Sequence, residues 1–303
     1  MKIARLGPLG RETPVVYQDD AAGQEQAFDA SGVTQDIDGA FLASGGVARL
    51  RSALAAGELP PLADASSLRV GAPVARPHNV ICIGMNYTAH AAESGSEPPT
   101  VPVVFLKPSN TVAGPFDAAP IPPLSTKYDW EVELGVVMGR TATYLATREE
   151  AIDAVAGFLV ANDLSEREYQ LPGASGQWTK GKSLPNSTPL GPWLVPADEL
   201  DTDNLRLRSW VNGQPRQDST TTGLIFNVAE IVHHLSQYML LEPGDVILTG
   251  TPAGVALSGR FPYLQAGDTV ELEIEGLGRQ KQHYFRASTS TQVAAATNHG
   301  QEG

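Results

Sequence analysis

Two glutamates in one short string of the sequence have the spacing of a divalent-metal site. Glu131 and Glu133 lie in the string DWEVELGVVMG, which predicts a β-strand closed by a glycine. Residues two apart on a strand point to the same face, and the strand rise separates their Cα atoms by about 6.6 Å. Both carboxylates can therefore reach one cation, although a solvated strand face would show the same pattern.

A third carboxylate, Asp163, follows an apolar run in the string VANDLSERE. No cluster of cysteine or histidine is nearby in the sequence, so a metal held here would have oxygen ligands. Oxygen ligands favour Mg²⁺, with Mn²⁺ or Ca²⁺ as substitutes, over zinc. The alternative interpretation of Asp163 is a turn residue after Asn162.

A histidine and a glutamate in the string NYTAHAAESG have the spacing of a catalytic pair. His90 and Glu93 are three residues apart, so on a short helix they share one face. An imidazole with a carboxylate partner suits a general base, but a pair on the protein surface has the same spacing.

The lysines of this chain are few and concentrated. Of six lysines, four fall between residues 107 and 182, the segment that also holds the carboxylates. Lys182 lies in the string WTKGKSLPNSTPLGP, a loop rich in proline and glycine in which a lysine is commonly solvated. The string GTPAGV at 250–255 predicts either an anion-binding turn or the exit from a strand.

The elements that would position these residues are mostly strands. Apolar runs bounded by turn residues predict strands at 15–17, 79–83, 101–106, 131–138, 205–211, 246–249, 270–274 and 279–285. Asn212-Gly213 predicts a hairpin turn. Helices are predicted at 46–56, from Thr147 with an apolar face at positions 152, 155, 156 and 159, and from Asn227 with Glu230 in a capping box.

Composition excludes several classes of protein. The chain has 303 residues, of which 42% are hydrophobic and 18% charged, and disordered chains carry more charge and less apolar material. A net charge of −13 disfavours a nucleic-acid partner. The single cysteine, Cys82, lies in an apolar strand and is expected to be buried. With no apolar run of membrane-spanning length and no signal-peptide core, we expect a cytoplasmic protein without a membrane partner.

The order of elements predicts an α+β fold with mixed β-sheets. Strands are not regularly interleaved with helices, which disfavours a doubly wound nucleotide-binding fold. The proline-rich stretch 58–77 reads as a linker or an extended crossing segment. We therefore predict a small N-terminal domain at 1–72, a catalytic domain at 73–286 and a flexible tail at 287–303.

Five strings, in this order along the chain, resemble the fumarylacetoacetate hydrolase family from about residue 79 to residue 285. They are IGMNYTAHAAESG, DWEVELGVVMG, NDLSEREYQ, GKS followed by PLGPW, and GDVILTGTPAGV. These resemble the family's His/Glu loop, E-x-E metal strand, third-ligand segment, lysine loop and substrate-binding turn. The resemblance implies a catalytic domain on a rolled, mixed β-sheet, usually paired as a homodimer, and a small N-terminal domain like that of longer bacterial members.

The resemblance also implies a role for individual residues. It implies metal ligands at Glu131, Glu133 and Asp163. It implies catalytic roles for His90, Glu93 and Lys182. It implies substrate contacts from Arg167, Gln170 and Thr251, with Tyr87 beside the catalytic pair.

Together these features predict a divalent-metal-dependent hydrolase that cleaves the C3–C4 bond of a 2,4-dioxo acid and releases pyruvate. The layout is most similar to the 2,4-dioxo-3-deoxy sugar-acid hydrolases of this family, and acylpyruvates belong to the same substrate class. The ion would stabilise developing enolate charge, with Lys182 adding positive charge and His90 activating water. The alternatives are an isomerase or decarboxylase of a 2-oxo diacid such as hydroxyheptadienedioate or oxaloacetate, and a non-catalytic relative that binds a ligand.

Overall fold

A computed structural model describes residues 1–288 except positions 21, 94, 172, 174 and 175. Almost all of the predicted tail at 287–303 lies outside the described residues. The strands are β1 (Lys2–Leu6), β2 (Thr13–Asp19), β3 (Glu25–Asp29), β4 (Val80–Gly84), β5 (Val103–Lys107), β6 (Val112–Ala113), β7 (Ala119–Ile121), β8 (Tyr128–Asp129), β9 (Val132–Met138), β10 (Val155–Asn162), β11 (Ser165–Glu166), β12 (Thr188–Pro189), β13 (Val195–Pro196), β14 (Arg206–Val211), β15 (Gln214–Thr220), β16 (Val246–Leu248), β17 (Thr269–Ile274) and β18 (Gly278–Arg286). The α-helices are α1 (Gly39–Ala43), α2 (Gly46–Ala55), α3 (Thr88–Glu93), α4 (Arg148–Asp153), α5 (Arg167–Gln170), α6 (Trp178–Lys182) and α7 (Val228–Ser236).

Two mixed sheets and one antiparallel sheet make up most of the fold. The central sheet has six strands in the order β13-β10-β9-β16-β4-β5, and only β16 and β4 pair in parallel. The second sheet has the order β15-β14-β17-β18-β7, with β18 and β7 in parallel. Strands β1, β2 and β3 form an antiparallel sheet, and β11–β8 and β12–β6 are two-stranded. The predicted α+β class with mixed sheets is confirmed.

The central sheet is covered on both of its faces. On one face, Leu134 of β9 shares a core with Leu207 of β14 and other residues of the second sheet. On the opposite face, Cys82 shares a second core with Ile3 and Leu50 of the N-terminal segment. The burial expected for Cys82 is therefore confirmed. The predicted domain boundary at residue 72 stays a prediction, since these N-terminal residues and the central sheet share one core.

The segment predicted as one long apolar helix divides into a helix and a strand. Helix α4 ends at Asp153 and β10 begins at Val155, so the helical face expected at positions 152, 155, 156 and 159 is wrong. A strand buried on both faces is apolar throughout, and a helical spacing of apolar residues can then arise by accident. A Cβ on Gly157 would lie 2.2 Å from the Val195 carbonyl oxygen, so glycine allows β10 to approach β13.

The predicted hairpin turn and the predicted capping box of α7 are both present. Asn212 and Gly213 join β14 to β15 with φ angles of 52° and 74°, as a tight hairpin turn requires. Asn227 and Glu230 form the predicted capping box of α7. Across the described residues, no helix has both the length and the apolar character needed to cross a bilayer.

Candidate active site

The three predicted metal ligands meet at one end of two neighbouring strands. Glu131 directly precedes β9, Glu133 lies on β9, and Asp163 directly follows β10, the antiparallel neighbour of β9. The Asp163 amide donates to the Glu131 carbonyl at 3.0 Å, which continues the ladder past the strand ends. One carboxylate oxygen from each residue lies within 4.8 Å of the other two. All three side chains are buried.

Six buried side chains of alternating charge, which we call the charge row, pass through this cluster. In order they are Asp129, Arg167, Glu131, Lys182, Asp163 and Lys107. The row has as many cations as anions, and each interior member touches two groups of opposite sign.

The contacts within the charge row are short. Arg167 donates from Nε to Asp129 at 2.8 Å and from Nη2 to Glu131 Oε1 at 2.7 Å. Lys182 Nζ donates to Glu131 Oε2 at 2.6 Å and to Asp163 Oδ2 at 2.7 Å. Lys107 Nζ donates to Asp163 Oδ1 at 2.5 Å. Both oxygens of Glu131 and of Asp163 therefore accept from a cation.

Glu133 stands outside the charge row. Its carboxylate accepts from the Gly250 amide at 2.6 Å and has no cation within ion-pair distance among the described residues. Burial, together with the neighbouring Asp163 and Glu131 carboxylates, raises the pKa of Glu133 well above its usual range. Burial opposes ionisation of Glu131 too, but Lys182 and Arg167 overcome it and hold the Glu131 pKa low.

This donor set fits a divalent cation with oxygen ligands. Three carboxylates converge, and the charge row already balances two of them, so an ionised Glu133 has no counter-charge among the described residues. A cation between the three would offset that charge, and carboxylate oxygens are the ligands that Mg²⁺ and Ca²⁺ prefer. Because the donor set contains no nitrogen or sulfur, it does not favour zinc.

The predicted catalytic pair lies on α3 and lines the same cavity as the three carboxylates. His90 Nδ1 is 3.5 Å from Glu93 Oε1, at the outer limit of a hydrogen bond. Glu93 also accepts from the Gly254 amide at 3.0 and 3.1 Å and from the Arg260 guanidinium. Burial opposes ionisation of Glu93, but these hydrogen bonds lower its pKa below the usual value. Glu93 is therefore a fixed carboxylate behind the imidazole.

A cavity of about 280 Å³ brings nearly all predicted site residues together. Its wall includes the three carboxylates, His90, Glu93 and Lys182, and also Arg167, Gln170 and Thr251. Tyr87 is the exception, because it is buried and does not line the cavity. Its hydroxyl has no hydrogen-bond partner among the described residues.

Two predicted site residues have surroundings that the sequence did not show. Lys182 ends α6 and only 2% of it is exposed, which argues against the alternative of a solvated loop lysine, whereas Lys180 is exposed. Arg167 was expected to hold substrate, yet its donors engage Asp129, Glu131 and Gln170. Its contacts are therefore those of a residue that positions Glu131.

Sequence reasoning missed three residues that support the site. One is Lys107, which the sequence marks only as one of the clustered lysines. It ends the apolar strand β5, and a lysine at such a place is buried only when it is paired with an anion. Asp129 accepts from the amides of Ala256 and Leu257 in addition to Arg167, which links the charge row to the 250–258 segment. Asn86, just before α3, bonds Phe226 and the Thr249 carbonyl, and no local signal marks it.

Comparison with known proteins agrees with this architecture. The family model described as Fumarylacetoacetate (FAA) hydrolase C-terminal matches residues 79–283. A Burkholderia lata protein, named as a hydrolase without a stated substrate, is 44% identical over 288 residues, which cover 93% of this chain and 98% of that relative.

Solved structures with the same fold include both hydrolases and isomerases. A fumarylacetoacetate hydrolase from Exiguobacterium antarcticum is 32% identical with a TM-score of 0.78, covering 95% of this chain and 100% of that one. A 2-hydroxyhepta-2,4-diene-1,7-dioate isomerase from Mycobacterium marinum is 30% identical with a TM-score of 0.72, covering 94% and 98%. Since the family model spans most of the chain and the relatives align over nearly all of it, the protein belongs to the fumarylacetoacetate hydrolase family of enzymes.

Proposed function

We propose that this protein is a divalent-metal-dependent hydrolase that cleaves the C3–C4 bond of a 2,4-dioxo acid and releases pyruvate. One observation carries the proposal: a single cavity holds a buried cluster of three carboxylates and a His–Glu pair. Glu131, Glu133 and Asp163 would hold the ion, with Mg²⁺ the first choice for their oxygen donors. A bound ion supplies Lewis acidity for the negative charge that develops on the 2-oxo oxygen.

The His90–Glu93 pair would activate the attacking water. Glu93 faces Nδ1 of the imidazole and favours the tautomer with a proton there, which leaves Nε2 as the base. Nε2 takes a proton from water, and the resulting hydroxide attacks the C4 carbonyl. The C3–C4 bond then breaks, and its electron pair stays with C3. Protonation of C3 gives pyruvate together with the second carboxylic acid.

Lys182 would stabilise the negative charge that develops on the substrate during this reaction. Its ammonium lies between the Glu131 and Asp163 carboxylates and also lines the cavity. Burial lowers the pKa of Lys182, but Asp163 and Glu131 more than compensate and raise it, so the group carries a full charge. A fixed cation at this place favours the enolate over the neutral dioxo acid.

The second candidate is an isomerase or decarboxylase of a 2-oxo diacid. It is favoured by the likeness to a solved 2-hydroxyhepta-2,4-diene-1,7-dioate isomerase, since isomerisation and decarboxylation also pass through an enolate. Hydrolysis alone requires a base for water. An assay that measures pyruvate and its co-product over 2,4-dioxo acids and 2-oxo diacids separates the two. Hydrolysis gives pyruvate and a second carboxylic acid, decarboxylation of oxaloacetate gives pyruvate and CO₂, and isomerisation releases no pyruvate.

The role of the His90–Glu93 pair is tested with His90→Ala. His78→Ala is the matched control, because His78 lies outside the cavity. We expect His90→Ala to lower pyruvate release by about 10²–10⁴-fold, the usual contribution of a general base. Mg²⁺ affinity, measured by calorimetry, should stay unchanged because His90 is not a ligand. Near-normal pyruvate release from His90→Ala would contradict water activation by this residue.

A further inference from the structure

One part of the cavity wall is apolar and partly aromatic. Phe105 and Trp178, which we call the aromatic wall, meet edge to face with their ring centroids 5.4 Å apart. Trp178 packs directly on Gly84, where a Cβ would lie 2.0 Å from a ring carbon. Leu171 and Leu257 line the same cavity, and all four side chains are only partly buried. These groups therefore offer apolar surface to whatever fills the cavity.

The lysine and arginine that line the cavity are already paired with protein carboxylates. Lys182 bonds Glu131 and Asp163, and Arg167 bonds Asp129 and Glu131. Arg260, which bonds Glu93, is 60% exposed at its side chain and does not line the cavity. Within the described part of the chain, a second carboxylate on the substrate would meet no uncommitted lysine or arginine here.

The neutral polar groups of the wall are also largely committed. The Thr251 hydroxyl donates to the Val132 carbonyl at 2.9 Å and accepts from Gln217 at 2.7 Å. The Gln170 side-chain oxygen accepts from Arg167 at 2.9 Å. Among the described lining residues, the Gln170 amide nitrogen and the Ser96 hydroxyl remain, which suits one keto oxygen better than a chain of hydroxyls. Hydroxyls placed against the aromatic wall would lose their bonds to water without replacement.

We infer that the substrate is a 2,4-dioxo monocarboxylate with a short apolar acyl group, and not a diacid or a polyhydroxylated sugar acid. This inference rests on the proposed function, since it assigns the dioxo end to the carboxylate cluster and the acyl end to the aromatic wall. A cavity of about 280 Å³ suits an acyl group of a few carbons or one ring.

The first test is a substrate panel with the Mg²⁺-loaded wild-type enzyme and pyruvate release as the readout. The apolar members are acetylpyruvate, butanoylpyruvate and benzoylpyruvate. The polar members are succinylpyruvate, which carries a distal carboxylate, and a 2,4-dioxo-3-deoxy sugar acid. We expect kcat/KM to rise about 10-fold or more from acetyl to butanoyl, as added methylenes in an apolar pocket typically give. Succinylpyruvate and the sugar acid should be slower than butanoylpyruvate by at least about 10²-fold.

The second test uses Trp178→Ala, with Val104→Ala as the matched control. Val104 precedes Phe105 on β5 but is exposed and does not line the cavity. Trp178→Ala should reduce the butanoyl-to-acetyl ratio of kcat/KM to near one, whereas Val104→Ala should leave it unchanged. A general loss of structure would lower both rates together and would not move the ratio. If Trp178→Ala does not fold, the wild-type panel alone tests the inferred preference for an apolar acyl group.

The outcomes distinguish failure of the substrate inference from failure of the proposed function. If succinylpyruvate or the sugar acid releases pyruvate as fast as butanoylpyruvate, the inference is wrong while the proposed function stands. If no 2,4-dioxo acid releases pyruvate, the proposed function is wrong and the inference falls with it.

Discussion

Lys180 and Lys182 lie two residues apart on α6 and have opposite surroundings. Lys182 is buried between two carboxylates, whereas Lys180 is exposed and makes no ion pair with any described residue. At saturating Mg²⁺, Lys182→Met should lower kcat by about 10²–10³-fold, the usual effect of removing one donor that stabilises an oxyanion. Lys180→Met should change kcat less than about 2-fold. Equal effects of the two substitutions would show that the charge row has no part in catalysis.

Cys82 provides a chemical test of the central sheet. It is 1% exposed, and burial with the nearby Asp163 carboxylate raises the pKa of its thiol well above the ordinary value. Only the thiolate reacts quickly with disulfide reagents. We expect no reaction with Ellman's reagent at pH 8 in the native protein and one thiol per chain in denaturant. Fast native labelling would contradict the packing of the N-terminal segment on this face.

Residue types close together in the sequence revealed more of the site than distant ones. Glu131 and Glu133 are two residues apart, so strand geometry alone placed them together. The charge row was not predictable, because Lys107 and Asp163 are 56 positions apart and pair only through the fold. A single lysine at a strand end has no periodicity that distinguishes an ion-paired side chain from a solvated one.

Among the elements, the turn after β16 places a backbone donor on the carboxylate cluster. Gly250 has a φ of +99°, and a Cβ there would lie 2.8 Å from the Asn86 Cβ and 3.0 Å from the Ile83 carbonyl oxygen. Gly250→Ala should therefore strain the turn, move its amide from Glu133 and weaken Mg²⁺ binding. Calorimetry of Mg²⁺ binding and urea unfolding would measure both effects.

Gly259→Ala is the control for this prediction. Gly259 also has a positive φ, +76°, but a Cβ there meets no atom within 4 Å. It should therefore cost only about 1 kcal/mol of stability and leave Mg²⁺ affinity unchanged. Equal Mg²⁺ affinities in both variants would show that the Gly250 amide does not position Glu133.

Strands and turns with distinctive residues were predictable, and the position of the helix-to-strand change was not. Asn212-Gly213 requires positive φ values that few residue pairs tolerate, and the hairpin is present as expected. The step from α4 to β10 has no such marker, because a single alanine, Ala154, separates the two elements, with neither proline nor glycine between them. Whether a run of valine, leucine and alanine pairs as a strand depends here on β9 and β13, which flank it in space.

The N-terminal segment and the central sheet share one core. Ile3 is fully buried in that core and exchanges backbone hydrogen bonds of 2.9 and 2.8 Å with Leu194. We expect Ile3→Asp, which buries an unpaired carboxylate, to lower the stability of both parts together. Urea unfolding followed by tryptophan fluorescence and by hydrogen exchange of residues 1–72 should give one shared, lowered midpoint.

The matched control at this scale is Leu9→Asp. Leu9 also belongs to the N-terminal segment but is 79% exposed, so the substitution should change stability by less than about 0.5 kcal/mol. If Ile3→Asp releases only residues 1–72 while tryptophan fluorescence keeps its wild-type midpoint, the two parts are separate folding units.

The charge row also limits how this chain can diverge over generations. Replacing one of its members by a neutral residue leaves a buried partner without its counter-charge, which typically costs about 3–5 kcal/mol, a large share of the stability of a whole domain. Replacing Lys107 and Asp163 together removes a cation and an anion at once, so the loss should be smaller than the sum of the two single losses. Lineages that alter this region are therefore expected to pass through coupled substitutions, and the order in which such changes become tolerable is set by a balance of charge at the centre of the fold.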